Sequence, residues 1–455
     1  MHSRLWGSLI PKWTTAAVLF SSGLCLGQSV NSGTFELKWL SATPGITGTV
    51  EYGVERSFKD PSRVLKIGDR YHVWVSSFVN SGAFDQSWQI DHFVSENLAE
   101  WHFADTAVAS PDPRHWVYAP DVTLEGDTLH MYFVDNENHR LQIGYATAND
   151  AGGPWSVSGT AVAGETNPTT GQGETIYDPT ILRIGDKWFL YFACSGSICY
   201  ATSEHAEGPW ARQGTAFAPT RAPMEAPQAA FLDGRYHLFF TQELASDNGS
   251  MGHAISDDGI HWGYAPDGFF LHSWEVPWFV QADDNVANGG GSPGIYEGEN
   301  GEPPVLLVQA RSSGKHWSIG SAQLLGPRQG LGIRLMHSGW LTDRVTMDLV
   351  GEWQKVVELP VFMPSAALVY CDWIGSFQPK DESINGAFVG FQLRANGMVL
   401  AESYDTVPVG RFPQTRHLAA LMRLGTGVTT LELWAFGYHQ HWLKGQQWMV
   451  MFPGY

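Results

Sequence analysis

The sequence predicts an all-β protein, a five-bladed β-propeller followed by a C-terminal β-sandwich. Three observations predict it. One pattern recurs along the chain: a Pro-containing start, a short apolar strand, a Gly turn and a second strand of alternating apolar residues. Strand-favouring aromatics are abundant, with 20 Trp, 15 Tyr and 24 Phe. The 50 Gly and 25 Pro supply the turns that many short strands need. At 455 residues and 43% hydrophobic content the chain can bury sizeable cores.

The N-terminus, "MHSRLWGSLIPKWTTAAVLFSSGLCLGQSV", sets Arg4 and Lys12 ahead of an apolar run from Ala16 to Leu26, then small and polar residues. That is the order of a secretory signal, expected over residues 1–28 with cleavage near Gly27 to Ser29. The run is short for a bilayer and no later stretch is long enough, so a secreted or periplasmic protein without an integral membrane segment is expected. Cys25 raises the alternative of a lipoprotein signal, but Leu24 is bulky where a small residue is wanted.

The repeats follow in order: "KDPSRVLKIGDRYHVWV" (Lys59 to Val75), "YAPDVTLEGDTLHMYFV" (Tyr118 to Val134), "YDPTILRIGDKWFLYFA" (Tyr177 to Ala193), "MEAPQAAFLDGRYHLFFT" (Met224 to Thr241) and a degenerate "GSPGIYEGENGEPPVLLVQA" (Gly291 to Ala310). Each reads as a hairpin. A second element follows most copies, such as "IGYATANDAGGPW" (Ile143 to Trp155) and "CYATSEHAEGPW" (Cys199 to Trp210): a strand, a polar turn and an outer strand begun by Trp. Four strands per unit, repeating roughly every fifty to seventy residues, predict a radial propeller over 29–325. A β-sandwich would explain the strands but not their repeated order. From Gly326 the pattern stops, and alternating strands broken by Asn-Gly and Gly-Thr-Gly turns predict the sandwich over 326–455. Its Trp residues serve either a core or a sugar-binding face. Cys194 and Cys199 flank "SGSI", a tight turn, and are expected to form a hairpin disulfide. The cysteine spacing offers no zinc site.

A formal net charge of -19 with no basic stripe argues against a nucleic-acid partner, because that binding rests on cations neutralising phosphates. An acidic, Trp-rich chain suits instead a polysaccharide or oligosaccharide partner, whose CH faces pack on aromatic rings.

In a propeller the innermost strands start near the axis, so side chains at those starts converge. Asp60, Asp178 and Glu225 occupy such positions and are expected to meet in one cleft. Asp121 either lines the pocket wall or caps a turn. Trp116, and Trp274 and Trp278 of "HSWEVPWF", either floor the pocket for a sugar ring or pack in the core. Arg311 is placed to hold a carboxylate.

Asp60 in "KDPS", Asp178 in "YDPT", Glu225 in "MEAP" and the intervening "YAPDV" resemble the motifs of five-bladed glycoside hydrolases of family 43 and their relatives. The resemblance covers the propeller and not the C-terminal region. It implies an inverting mechanism with Asp60 as general base, Glu225 as general acid and Asp178 as the carboxylate that raises the pKa of Glu225. Some of these enzymes hold calcium through a His of the last blade; "GGGSPGIYE" offers none, so no metal and no cofactor is expected. The related family 117, acting on anhydro-galactose ends of agar-type oligosaccharides, has similar "DPS" openings and a His acid, for which His115, His253 and His316 are candidates.

The expected function is thus release of a pentose or galactose-type sugar from plant or algal polysaccharide, arabinofuranosidase-like or xylosidase-like. The alternatives are an anhydro-galactosidase and a non-catalytic carbohydrate-binding propeller. A phosphorylase would need clustered cations at the same mouth.

Overall fold

The structure is a computed structural model. It describes residues 30–31, 35–48, 50–51, 54–79, 88–110, 115–136, 140–165, 173–218, 223–244, 247–279, 290–313, 316–326, 333–335, 339–341, 345–350, 353–363, 367–379, 387–407, 414–424 and 427–453. The expected export signal lies outside them. The described chain is nearly all β, with one short 3-10 turn at Ser273–Glu275.

Four of the repeats close as self-contained sheets. The first comprises Val54–Lys59, Arg70–Val79, Trp88–Ser95 and His102–Val108, with Leu65–Ile67 on its inner strand pair and Val50–Glu51 at its edge. The second is Val117–Glu125, Thr128–Asp135, Gln142–Ala148 and Ser156–Val162; the third is Ile176–Ile184, Lys187–Cys194, Ser197–Ser203 and Ala211–Phe217. The fifth repeat contributes only Gly290–Tyr296, Val305–Ser313 and His316–Leu325, and the N-terminal strand Glu36–Trp39 completes it, pairing Glu36 with Leu325 and Trp39 with Ala322. Joining the two ends of the ring in one sheet removes two open edges.

The fourth repeat differs. Met224–Leu232, Arg235–Leu244, Asp247–Ser256 and Gly263–His272 do not stop at four strands: Tyr264 pairs in parallel with Val361, and the sheet runs on through Gln354–Met363 and the long strand Gly427–Pro453 to thirteen strands. The number of separate blades is therefore four where the sequence predicts five. The predicted separate sandwich is not delimited either, and packing explains why. Leu359, Val361, Phe391, Leu393, Leu431 and Leu433 share one core with Phe217, Phe240, Trp262 and Tyr264. An apolar sheet edge covered by further strands is buried rather than left as an unpaired row of N–H and C=O groups.

Five residues with positive φ mark the inner strands: Asp60 (48°), Ala119 (47°), Asp178 (53°), Ala226 (47°) and Ser292 (35°). Each precedes a proline. Proline has no N–H for the ladder and is tolerated inside a sheet at a bulge. Register shifts fall there, between Tyr177 and Thr180, Glu225 and Gln228, and Gly291 and Gly294. A left-handed non-glycine residue costs about 1–3 kcal/mol, and hydrogen bonds between neighbouring repeats offset it. The Asp60 N–H donates to Gln309 Oε1 (2.9 Å), Ala119 N–H to Ser76 Oγ (2.7 Å), Ala226 N–H to Asp178 Oδ2 (3.0 Å) and Ser292 N–H to Thr241 Oγ1 (2.7 Å).

One turn deeper, Arg63 closes the axis. Its guanidinium donates to Glu297 of the fifth repeat, to Ile181 O of the third (2.6 Å) and to Ala229 O of the fourth (2.9 Å), and stands 3.9 Å from Asp121 of the second. The axis thus ends in a polar plug.

Candidate active site

The bulges determine how the side chains at the starts of the inner strands are aimed. Where two residues oppose one, in-and-out alternation breaks, and consecutive residues are re-aimed together. The positions directly before the prolines carry Asp60, Ala119, Asp178, Ala226 and Ser292; the positions one earlier carry Lys59, Tyr118, Tyr177, Glu225 and Gly291. Glu225 therefore sits one residue ahead of the register of Asp60 and Asp178, yet the charges of Asp60 and Glu225 both act on Asp178.

Asp178 shows this most strongly. Burial pushes its carboxyl well above the ordinary range, and the charges of Asp60 and Glu225 push it further; the Ala226 N–H bond and the Lys59 charge work the other way. The sequence expectation was that Asp178 raises Glu225. In the free protein Asp178 is itself a raised group. Asp60 accepts from Ser76 Oγ at 2.9 Å through Oδ2, and the same hydroxyl accepts the Ala119 N–H, so one serine orients the first carboxylate and ties down the second repeat.

Tyr118 completes the group. Its hydroxyl is held well above its usual pKa by burial first, then by the charges of Asp178, Asp60 and Glu225. It stays a neutral O–H donor amid three carboxyl groups. Sequence reasoning passed over it although the signal was present: "YAP" and "MEAP" put Tyr118 and Glu225 in the same register. Trp88 packs on Tyr118 at 5.2 Å between ring centroids and stacks on Phe78 at 4.2 Å.

Other expected site residues fare differently. Trp116 is half-buried at the start of the second repeat, its N–H donating to Asn136 Oδ1 (2.6 Å). Arg311 is buried at the mouth end of the fifth repeat, its guanidinium 5.5 Å from the Trp317 ring. Asp121 is 0% exposed and does not line a wall. Its Oδ1 accepts the Arg63 N–H (2.8 Å) and its Oδ2 accepts Thr180 Oγ1 and the Ile181 N–H (2.9 Å each), so it joins three inner strands. Trp278 is core and no sugar floor: it stands edge-on to Trp39 at 5.1 Å, and a Cβ on Gly320 would lie 2.2 Å from its ring. An indole that fills the space above a glycine between two sheets has no face left for a ligand. The side chain of Trp274 lies outside those described.

Of the three histidines, His253 is 0% exposed inside the fourth repeat, bonded to His237 at 2.9 Å and stacked on Phe239. His115 lies near the mouth but pairs with Asp135 at 2.6 Å. His316 opens the last strand of the fifth repeat, opposite Ser313. The expected disulfide joins Cys194 and Cys199 with Cα atoms 5.8 Å apart, and Gly196 O of that hairpin accepts the Met224 N–H, next to Glu225. Glu174 lies close to both sulfurs, but bonded sulfurs offer no thiolate to a metal. Among the described residues no helix is long and apolar enough to cross a membrane.

With this geometry in view, comparison with known proteins is informative about fold. No family profile matches the chain. A probable arabinan endo-1,5-alpha-L-arabinosidase A of Aspergillus flavus is 27% identical over 106 residues, 22% of this chain and 32% of that protein, and its Aspergillus oryzae counterpart matches equally. The chain thus spans about a third of the length of the curated relatives it matches. Among solved structures, the catalytic domain of the Coprinopsis cinerea GH62 alpha-L-arabinofuranosidase is similar with a TM-score of 0.50 at 15% identity, covering 65% of this chain and 98% of that one. A glycosyl hydrolase from Bacteroides ovatus gives 0.50 at 13% identity, over 65% and 94%. A GH130 structure, from a family of mannoside phosphorylases that contains glycoside hydrolases, gives 0.50 at 13% identity, over 65% and 96%. At these identities the likeness is one of fold.

Proposed function

We propose that the chain is an exported, inverting glycoside hydrolase that releases a pentose or galactose-type sugar from plant or algal polysaccharide. The observation that carries the reading is that the charges of Asp60 and Glu225, from two other repeats, both act on the buried Asp178 carboxyl. Perturbed carboxyl groups in a cleft are the means by which a site holds one acid protonated beside one ionised base. In this reading Asp60 removes a proton from water as the water's oxygen bonds to the anomeric carbon. Glu225 gives its proton to the glycosidic oxygen as the carbon–oxygen bond breaks on the opposite face. Inversion needs the two carboxyl groups roughly 6.5–9.5 Å apart. Burial and the charges of Asp60 and Glu225 favour the protonated form of Asp178, which keeps a proton close to the acid. The neutral Tyr118 hydroxyl stands under the influence of the same three acids.

Residues 1–28 serve export and 29–325 form the catalytic propeller, in which the first four strands of the thirteen-stranded sheet act as the fourth of five blades. Residues 326–455 form a sandwich built onto that blade. The partial match to an arabinanase and the shared fold with an arabinofuranosidase favour a pentose substrate.

The test is sugar release from arabinan, xylan, galactan and agar-derived oligosaccharides by the mature protein, beside Glu225→Gln and Asp60→Asn. Cleavage of one substrate, lost in both variants and giving the inverted anomer by NMR, is expected. Activity that survives both substitutions sinks the assignment, and glycan binding without cleavage leaves a non-catalytic propeller.

A further inference from the structure

We propose that Ser76 is a positioning residue for Asp60, and that the residue at the register of Ser76 is what gives Asp60 and its sequence twin Asp178 different roles. A hydroxyl there relieves Asp60 of the clasp to the next repeat; an alanine there leaves Asp178 to make that clasp itself. The inference rests on the glycosidase reading for the chemistry of Asp60, and deepens it by assigning a residue that acts through Asp60.

Asp60 and Asp178 share a local setting. Both stand directly before the proline of an inner strand, and both have left-handed backbones, with φ of 48° and 53°. What differs lies across the ladder. The residue one before each of these positions pairs with Ser76 in the first repeat, Val134 in the second, Ala193 in the third, Thr241 in the fourth and Gln309 in the fifth. Where this register carries a polar side chain, that side chain takes the pre-proline N–H of the next repeat. Ser76 accepts from Ala119 at 2.7 Å, Thr241 from Ser292 at 2.7 Å and Gln309 from Asp60 at 2.9 Å. Ala193 has no such atom. The N–H that follows it around the ring, that of Ala226, goes to Asp178 Oδ2 at 3.0 Å instead.

The Ser76 hydroxyl has a single proton, and it goes to Asp60 Oδ2 at 2.9 Å. Ser76 is 0% exposed, its backbone is fixed in the inner ladder, and its oxygen is held from the other side by the Ala119 N–H. The Asp60 carboxylate therefore stands one hydroxyl away from the strand that Asp178, in its own repeat, reaches directly. A group that takes a proton from water must be held within about 0.5 Å of its working position by neighbours whose own rotamers are locked. Ser76 is such a neighbour, while the Asp178 carboxylate is committed to holding the strand of Glu225.

The two clasped amides both belong to alanines, so 15N-alanine labelling of the mature protein reports both. An amide that donates straight to a carboxylate moves downfield as that carboxylate ionises; one that donates to a hydroxyl moves less. The titratable groups around the cluster, Asp60, Asp178, Glu225, Lys59, Tyr118 and Tyr177, are common to both amides, so the comparison is internal. In a pH titration of the wild type, Ala226 is expected to move at least twice as far as Ala119. In Ser76→Ala, Asp60 takes over the clasp and the Ala119 shift should grow to match that of Ala226. On whichever arabinan, xylan, galactan or agar oligosaccharide is cleaved, Ser76→Ala should lower kcat at least tenfold per folded molecule with KM within twofold. Ser76→Thr should restore kcat to within threefold, since Thr241 already occupies this register in the fourth repeat. Equal movement of the two amides in the wild type overturns the clasp assignment. Wild-type kcat in Ser76→Ala, or a loss that Ser76→Thr does not repair, overturns the positioning role. If Ser76→Ala does not fold, Ser76→Cys, a larger and weaker donor, replaces it in the kinetic arm, and the wild-type amides still decide the clasp. Unequal amides without hydrolysis of any glycan keep the division between the two aspartates and remove the glycosidase reading; hydrolysis with equal amides does the reverse.

Discussion

The backbone N–H of Ala226 donates to Oδ2 of Asp178 at 3.0 Å, so the third and fourth repeats are joined by one of the site's own carboxyl groups. The same contact holds the strand that carries Glu225. Asp178 is thus a structural tie and a titrating group at once, and its two roles can be separated by pH.

Asp178 has a raised pKa in the folded protein. Above the ordinary aspartate value of about 3.9 the unfolded chain ionises freely while the folded one resists, so stability contributed by the protonated form is lost as pH rises through the raised value. Asp178→Asn keeps an acceptor for Ala226 and removes this loss. Thermal melts should show the variant more stable than wild type at pH 7–8, with the difference gone near pH 3. Hydrolysis should fall by roughly a hundredfold or more. A variant no more stable than wild type at pH 8 contradicts the assignment.

Tyr118 stays protonated throughout the working range, because burial and three acids all oppose its ionisation. Tyr118→Phe removes one donor from among those acids. A hydrogen bond to a charged group is worth about 1.5–3 kcal/mol, so kcat/KM should drop roughly tenfold to a hundredfold. The acid limb of the pH profile should move upward, since an ionised carboxylate loses support. An unmoved limb would show that the hydroxyl does not serve the carboxylates.

Asp121 and Arg63 form the buried plug. Asp121→Asn keeps the shape but turns an amide N–H toward donors that need an acceptor. Breaking a buried charged network costs about 3–5 kcal/mol, and the urea midpoint should fall accordingly, with every activity lost in proportion to folded protein. A stable Asp121→Asn protein with altered substrate affinity would return Asp121 to the pocket wall.

His237 and His253 are buried together, and burial, then His253, push His237 well below its usual pKa; His72, paired with His92 at 3.0 Å, is lowered to about 4. A depressed folded pKa means stability that is present above about pH 6.5 and lost as pH falls, because the unfolded chain takes up protons first. In the third repeat the same pair of positions holds Phe189 stacked on Tyr200 at 5.9 Å. Substituting His237→Phe with His253→Tyr copies that solution within the chain. The double variant should lose less stability than wild type between pH 6.5 and 4, measured by urea unfolding at each pH.

Much of the site was legible because its device is local. The recurring "DP", "AP" and "SP" mark the starts of inner strands, and in a radial repeat those starts converge. The acids Asp60, Asp178 and Glu225, and the Cys194–Cys199 hairpin, could be picked out on such grounds. The register of Glu225 was less legible, because aligning on acidic residues puts it level with Asp60, whereas aligning on prolines puts it level with Lys59 and Tyr118.

The sequence by itself determined the strands, the turns, the repeat and the residues that start each inner strand, since these follow from alternation and from the backbone chemistry of Gly and Pro over a few residues. Only the tertiary structure decided that Glu36–Trp39 closes the fifth repeat, that the fourth runs on into the C-terminal strands, that Trp278 and Asp121 are interior, and that Asp178 is itself a raised carboxyl. Each of those depends on groups more than forty residues apart meeting in space, where burial and charge are sums over neighbours that no local pattern contains.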